Sequence, residues 1–319
     1  MEKALTVVLG DGTILPEICG PNDGNLRVFE ELLGVRVIPR GNELLLETGD
    51  DEVERTFRSL LQQVEDHVRL GQLPGPDLIR SLHRAITGGE AGRAELFKST
   101  AVAIPGGYRK VYARTFNQAR YLDDITRREL VFGIGPAGTG KTYLAVAEAL
   151  SQVCGQNRRK LVVTRPVVEA GESLGFLPGD LGQKLQPYLR PLYDAIESLI
   201  PPETLARLEE AGAIEVAPLA YMRGRTLSNA FIILDEAQNT TREQMKMFLT
   251  RIGENSRTVV TGDITQIDLP RRSDSGLLHV TAILQPIREI SFVWFEEQDV
   301  VRNPLVRRIV HAYETAHEE

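Results

Sequence analysis

The 319-residue chain holds only two cysteines, Cys19 and Cys154. No histidines pair with them nearby, which rules out a zinc-cluster framework. One disulfide is open to them, but a reduced, cytosol-type interior suits so small a number better. No apolar run approaches the ~18 residues of a membrane span, so none is expected. Positive charge is not in surplus: 37 Lys and Arg stand against 44 Asp and Glu, a net charge of −7. That excludes a histone-like or purely electrostatic nucleic-acid binder and leaves room for a local basic groove. The opening Met1-Glu2-Lys3-Ala4-Leu5-Thr6-Val7 lacks the charged-then-apolar plan of a signal peptide, and a cytoplasmic location is expected. Internal repeats and low-complexity tracts are also missing.

What is present is ordinary for a globular protein: 42% hydrophobic and 25% charged residues, in a chain long enough for two domains. Residues 1–90 read as a small α+β unit. Leu26, Phe29, Leu32 and Leu33 share a helical face that stops at Gly34. Short strands are predicted at Val35–Ile38 and Leu44–Glu47 around the turn Arg40-Gly41-Asn42. Asp50-Asp51 opens a long helix with Val53, Phe57, Leu60, Leu61, Val64 and Val68 on its apolar face. Pro74-Gly75-Pro76 breaks it before a second helix, Asp77–Ile86. Residues 91–114 read as a linker, with a ribbon between Val102–Ile104 and Lys110–Tyr112. Residues 115–319 alternate strand and helix, with strands predicted at Leu130–Ile134, Lys160–Thr164, Ala213–Val216, Ala230–Leu234, Thr258–Thr261 and Ile290–Trp294. Such alternation favours a parallel sheet covered by helices. Thr240 and Glu243 have capping-box spacing for a helix over Arg242–Arg251, and Asn303-Pro304 opens a last helix.

The strongest chemical signal is Gly135-Pro136-Ala137-Gly138-Thr139-Gly140-Lys141-Thr142, a phosphate-binding loop G-x-x-x-x-G-K-[ST] between an apolar strand and a helix that begins near Tyr143. Glycines let backbone N–H groups curl round a polyphosphate, and the helix N-terminus adds partial positive charge. Lys141 is expected on the β- and γ-phosphates and Thr142 on Mg²⁺. The second signal is Phe231-Ile232-Ile233-Leu234-Asp235-Glu236, a buried strand ending in two carboxylates. Asp235 is assigned to the Mg²⁺ shell and Glu236 to the attacking water. Because a kinase must exclude water attack, the second acid favours a hydrolase. The third signal is Thr261-Gly262-Asp263-Ile264-Thr265-Gln266, where Gln266 is placed to sense the γ-phosphate and Asp263 to orient the loop and the metal-shell waters. Arg302, in Asp299-Val300-Val301-Arg302, is a candidate cation for the transition-state charge. It would serve a neighbouring subunit, or else form a salt bridge or a cap on the last helix.

Together these motifs resemble the first RecA-like domain of superfamily 1 helicases, and more specifically PhoH-like proteins. Further matching stretches are Thr115-Phe116-Asn117-Gln118, Thr164-Arg165-Pro166-Val167, Gly171 to Gly179, and Leu234-Asp235-Glu236-Ala237-Gln238-Asn239. The resemblance implies a RecA-like P-loop ATPase domain that takes ATP with Mg²⁺ through Gln118 and the loop residues Gly135 to Tyr143, with Gln118 reading the adenine edge. It also implies RNA as a partner, ribosomal RNA maturation and a small endoribonuclease partner. Arg165, just after a strand, is expected either to touch nucleic acid or phosphate or to be a plain surface arginine. The N-terminal unit resembles a KH-type RNA-binding domain, whose G-x-x-G loop clamps nucleotide backbone. Here the corresponding Gly20-Pro21-Asn22-Asp23-Gly24 is one residue longer, carries an acid and loses a donor to Pro21. RNA clamping and a docking role both stay open. With one RecA-like core in view, the other half of a helicase ATP site either comes from another subunit or is absent, and a ring or similar homo-oligomer is expected. Two rival readings remain: a nucleotide-gated switch with slow hydrolysis and a small-molecule phosphotransferase.

Overall fold

The structure, a computed structural model, describes residues 4–88, 96–97, 100–167 and 181–301. Its first part runs β-α-α-β-β-α, with the elements β1 (Leu5–Val8), α1 (Leu15–Cys19), α2 (Gly24–Leu33), β2 (Val37–Arg40), β3 (Glu43–Leu46) and α3 (Asp51–Arg69), followed by α4 (Pro76–Thr87). The three strands form an antiparallel sheet in the order β1-β3-β2, in which Leu46 pairs with both Leu5 and Val37. Asp50 starts α3 as its pattern predicts, its carboxylate accepting from Glu52 N at 2.8 Å and Val53 N at 3.4 Å. Phe57, Leu60, Leu61, Val64 and Val68 of that helix are buried, whereas Val53 in the first turn is only half-buried. β1 and α1 are not predicted by the sequence pattern; α1 spans five residues, little more than one helical turn.

The second part begins with a single antiparallel bridge, Val102 to Val111, where the ribbon is predicted. Then come α5 (Phe116–Arg127), β4 (Leu130–Ile134), α6 (Lys141–Cys154), β5 (Lys160–Arg165), α7 (Leu181–Glu197), α8 (Pro202–Glu210), β6 (Ile214–Pro218), β7 (Ala230–Leu234), α9 (Arg242–Leu249), β8 (Arg257–Gly262), α10 (Gly276–Ile283) and β9 (Ile290–Trp294). The strands make one parallel six-stranded sheet, β6-β5-β7-β8-β4-β9. This is an α/β RecA-like arrangement. Every residue of β4 and β7 is buried, as expected for strands covered by helices on both faces. Phe231, Ile232, Ile233 and Leu234 each contribute about 1.5–3 kcal/mol of apolar burial, which fixes β7 and thereby the residues that follow it.

Backbone contacts divide the chain into two compact units, residues 1–101 with 112–119, and residues 102–111 with 120–319. Two details of α9 differ from the sequence reading. Its capping box is Thr241 with Gln244, one residue later than predicted. The Thr240 hydroxyl is buried and donates to Ala237 O at 2.7 Å, so it closes the preceding turn and cannot cap. The helix also ends at Leu249 instead of Arg251, because Ile252 leaves to pair with Leu227. The helix predicted from Asn303-Pro304 lies outside the described residues. No helix among the described residues is long and apolar enough to cross a membrane.

Candidate active site

Strand order decides which residues meet. The loop after β4 and the carboxylates after β7 are separated in the sheet by β8 alone, so the carboxyl ends of β4, β8 and β7 open onto one crevice. A cavity of about 250 Å³ lies there. The phosphate loop and the start of α6 supply Gly138, Lys141, Thr142 and Tyr143; the other wall is Asp235, Glu236, Asp263 and Gln266. All of these belong to the second unit. The volume is below the ~300–1,000 Å³ of whole small-molecule sites and suits a polyphosphate tail.

The loop is built from backbone that only glycine adopts freely. Gly135, Gly138 and Gly140 have φ of 149°, 85° and 80°. A Cβ on Gly135 would stand 2.3 Å from the carbonyl oxygen of Phe295. Gly135 N also donates to Gly262 O at 3.1 Å, tying the loop to the end of β8. Lys141 is buried at the first residue of α6, and its ammonium donates to Gly135 O at 2.6 Å and Pro136 O at 2.7 Å. The Thr142 hydroxyl donates to Asp235 Oδ1 at 2.6 Å, and that same oxygen accepts from the Thr261 hydroxyl at 2.7 Å. A hydroxyl beside a carboxylate is the hard-oxygen donor set of a Mg²⁺ site shared with phosphates. The residues present fit such a group. The Asp263 Oδ2, buried and with no hydrogen-bond partner among the described residues, adds a further acceptor next to the cavity. Its other oxygen accepts from Thr265 N at 2.9 Å and the Thr265 hydroxyl at 2.6 Å, which folds the Gln266 turn.

Glu236 has a left-handed backbone, φ 51° and ψ 40°. Burial pushes its carboxyl above the ordinary range, and the neighbouring Asp235 adds to this; Arg165, Gln238 and Lys141 oppose it. Arg165 Nη2 lies 3.3 Å from Glu236 Oε1, and Gln238 Nε2 donates to Glu236 Oε2 at 2.5 Å. Arg165 is therefore neither a plain surface residue nor open to solvent on all sides. The Gln238 side-chain oxygen accepts from Asp263 N at 3.0 Å. Sequence reasoning gave no role to Gln238 or Thr261, although both lie inside quoted motifs. A glutamine two residues after a catalytic-type glutamate was the available signal.

Gln118 is on α5 and belongs to the first unit; it is buried, and its side-chain oxygen accepts from Arg114 N at 2.7 Å. Val301 N donates to Gly138 O at 3.0 Å, whereas Arg302, the next residue, lies outside the described residues. The Gly171–Gly179 stretch also lies outside them. Lys160 and Arg225 converge on Glu215, at 2.5 Å and 2.6 Å. Lys160 is the first residue of β5, so this group sits at the sheet edge opposite the cavity. Arg127 pairs with Asp123, and Arg271 with Asp274.

A family model described as PhoH-like protein matches residues 110–314. A PhoH-like protein of Synechocystis sp. is 46% identical over 93% of this chain and 90% of its own length. One of Mycobacterium tuberculosis is 47% identical over 93% of this chain and 84% of its own. Protein PhoH of Escherichia coli is 45% identical over 64% of this chain and 58% of its own. Alignments covering 93% of the chain take in most of the residues before the family model begins, so the first unit is shared with those relatives. With the phosphate loop, its paired hydroxyl and carboxylate, and these matches over most of its length, the chain belongs to the PhoH family of nucleotide-binding P-loop proteins.

Proposed function

We propose that this protein hydrolyses ATP with Mg²⁺ and couples the cycle to binding or remodelling RNA. The observation that carries this is the Thr142–Asp235 contact with Glu236 on the same cavity wall. Thr142 and Asp235 would hold the ion, which when bound neutralises charge on the β- and γ-phosphates. Lys141 would exchange its loop carbonyls for phosphate oxygens. Glu236 would orient and deprotonate water, and Gln266, on the turn set by Asp263, would register the γ-phosphate. Gln118 would read adenine and Arg302 would stabilise the transferring group; both assignments rest on the motifs. RNA and ribosomal RNA maturation beside a small endoribonuclease come with the family resemblance, the homo-oligomeric ring comes with the single RecA-like core, and a cytoplasmic setting is part of the same proposal.

One observation favours a slower cycle. Both Glu236 oxygens are engaged by protein donors, which fits a nucleotide-gated switch with low basal turnover. A phosphotransferase is disfavoured by a second acid that would activate water. The test is free-phosphate release from ATP, with and without Mg²⁺, single-stranded RNA or single-stranded DNA, beside mass measurement of the assembly. Release that needs Mg²⁺, rises with RNA and is lost in Lys141→Ala supports the proposal. Phosphate appearing on a small acceptor instead of in solution would overturn it.

A further inference from the structure

Arg165 closes β5 and stands across from the residues that close β7. These neighbouring parallel strands pair Thr164 with Leu234, so the side chain after Thr164 meets the one that follows Asp235. The arginine reaches Glu236 Oε1 through Nη2 at 3.3 Å, and its Nη1 donates to Tyr188 O at a long 3.4 Å. Gln238 Nε2 takes the other glutamate oxygen at 2.5 Å, and Gln238 is itself held by Asp263 N at 3.0 Å. The groups facing Glu236 are thus Asp235, Arg165, Lys141 and Gln238, and the Asp263 N–H holds Gln238 in turn. Two donors hold the carboxylate that the proposed function needs turned toward water.

The two holds differ. Gln238 is 1% exposed, whereas the Arg165 and Glu236 side chains are 22% and 35% exposed. The Arg165–Glu236 pair is the hold that solvent and dissolved anions can reach, so a competing anion can displace it. The guanidinium is a planar fork of five donors, of which, among the described residues, the carboxylate and one carbonyl take one each, and a phosphodiester suits that fork well.

Building on the proposed ATPase and RNA partner, we propose that Arg165 is a latch: it restrains Glu236 while no polynucleotide is bound, and the backbone phosphate of single-stranded RNA takes the arginine and frees the glutamate. Arg165 is then a positioning residue, and RNA binding and glutamate release share one coupling free energy. That coupling must run both ways. Removing the glutamate charge should strengthen RNA binding even with no nucleotide present.

The test measures binding of a fluorescent single-stranded oligouridine to the full chain without nucleotide, and ATP turnover with and without that RNA. Glu236→Gln is expected to bind the RNA about 2- to 5-fold more tightly, the range set by an exposed ion pair. Arg165→Ala is expected to bind it more weakly, and the double variant should show no tightening. In turnover, Arg165→Ala should raise basal kcat by a similar factor with the KM for ATP held, and lose stimulation by RNA; Arg165→Lys, which keeps the charge without the fork, should restore both in part. Unchanged or weaker RNA binding by Glu236→Gln overturns the latch. A fall in basal kcat in Arg165→Ala, with melting temperature retained, also overturns it and makes the arginine a partner of the nucleotide's own phosphate. If the wild-type chain turns over ATP but binds no oligouridine, the RNA half of the proposed function fails and takes the latch with it. Absent ATP turnover beside tight RNA binding overturns the hydrolase reading, and the binding arm still judges the Arg165–Glu236 exchange.

Discussion

Gly135 is asked for two things at once, a φ of 149° and passage within a Cβ radius of the Phe295 carbonyl. Gly135→Ala is expected to lower the melting temperature and to abolish binding of a fluorescent ATP analogue together, because relieving the clash moves the loop. A variant that melts earlier yet binds normally would separate the loop's shape from its chemistry. Tyr121 makes the opposite case. Its ring is fully buried, packs edge-on to Phe295 at 5.3 Å between centroids, and its hydroxyl has no hydrogen-bond partner among the described residues. Burial and the Asp235 charge both raise its pKa well above the ordinary value. Removing an unsatisfied hydroxyl in place costs little or gains up to about 1 kcal/mol, so Tyr121→Phe should melt at the same temperature or slightly higher. A marked drop would reveal a partner for that oxygen. The glycines, Lys141, Thr142, Asp235 and Glu236 are legible in the sequence because their chemistry is local, each within a few residues of a strand end. The Arg165–Glu236 pair is not, since it joins residues about 70 positions apart that only the β5–β7 neighbourhood brings together.

At the scale of elements, the sheet edge away from the cavity is tied by charge. Glu215 on β6 receives Arg225 and Lys160, and these hold its carboxyl down to about 2 despite partial burial. A folded-state value below the ordinary 4.5 means that the stabilisation is present above pH ~4.5 and lost as pH falls toward 2. The group is about a quarter exposed, so the contribution is about 1–2 kcal/mol after solvent screening, or roughly 2–8 °C in melting temperature. Glu215→Gln should therefore melt several degrees below wild type at pH 7 and match it near pH 2. An equal gap at both pH values would mean that packing, and not charge, is what the substitution removes. The buried strands of the second part could be read from their apolar runs and the strand–helix alternation, and α3 from its helical apolar period. β1 and α1 offered neither signal, and the capping box slipped by one because the burial of Thr240 is a tertiary fact.

The whole molecule pairs a nucleotide-binding sheet with a β-α-α-β-β-α unit whose α1–α2 turn sits where a KH-type clamp would lie. That turn spends its own donors: Asp23 N bonds to Gly20 O at 3.2 Å, Gly24 N bonds to Pro21 O, and Pro21 has none to give. Gly20 is fixed by Asn25, whose amide donates to Ile18 O and Pro74 O at 3.1 Å each. Few N–H groups are left for a phosphate, which favours docking over clamping. Asp23→Asn keeps a residue that tolerates the left-handed backbone and is expected to leave oligouridine affinity unchanged. A several-fold gain would place RNA at this turn. The motifs thus yield the nucleotide-binding half of the molecule, while the use of the N-terminal half depends on which backbone groups the turn leaves free.

The central claim is that Glu236 activates water at a nucleotide held by the phosphate loop. Single-turnover hydrolysis of ATP by Glu236→Gln, with ATP affinity measured on the same preparation, tests it most directly. The substitution keeps the shape and removes the base, so affinity near wild type with a chemical step slowed about 10²-fold or more is the expected result. A chemical step at near wild-type rate, with ATP bound normally, would contradict the claim.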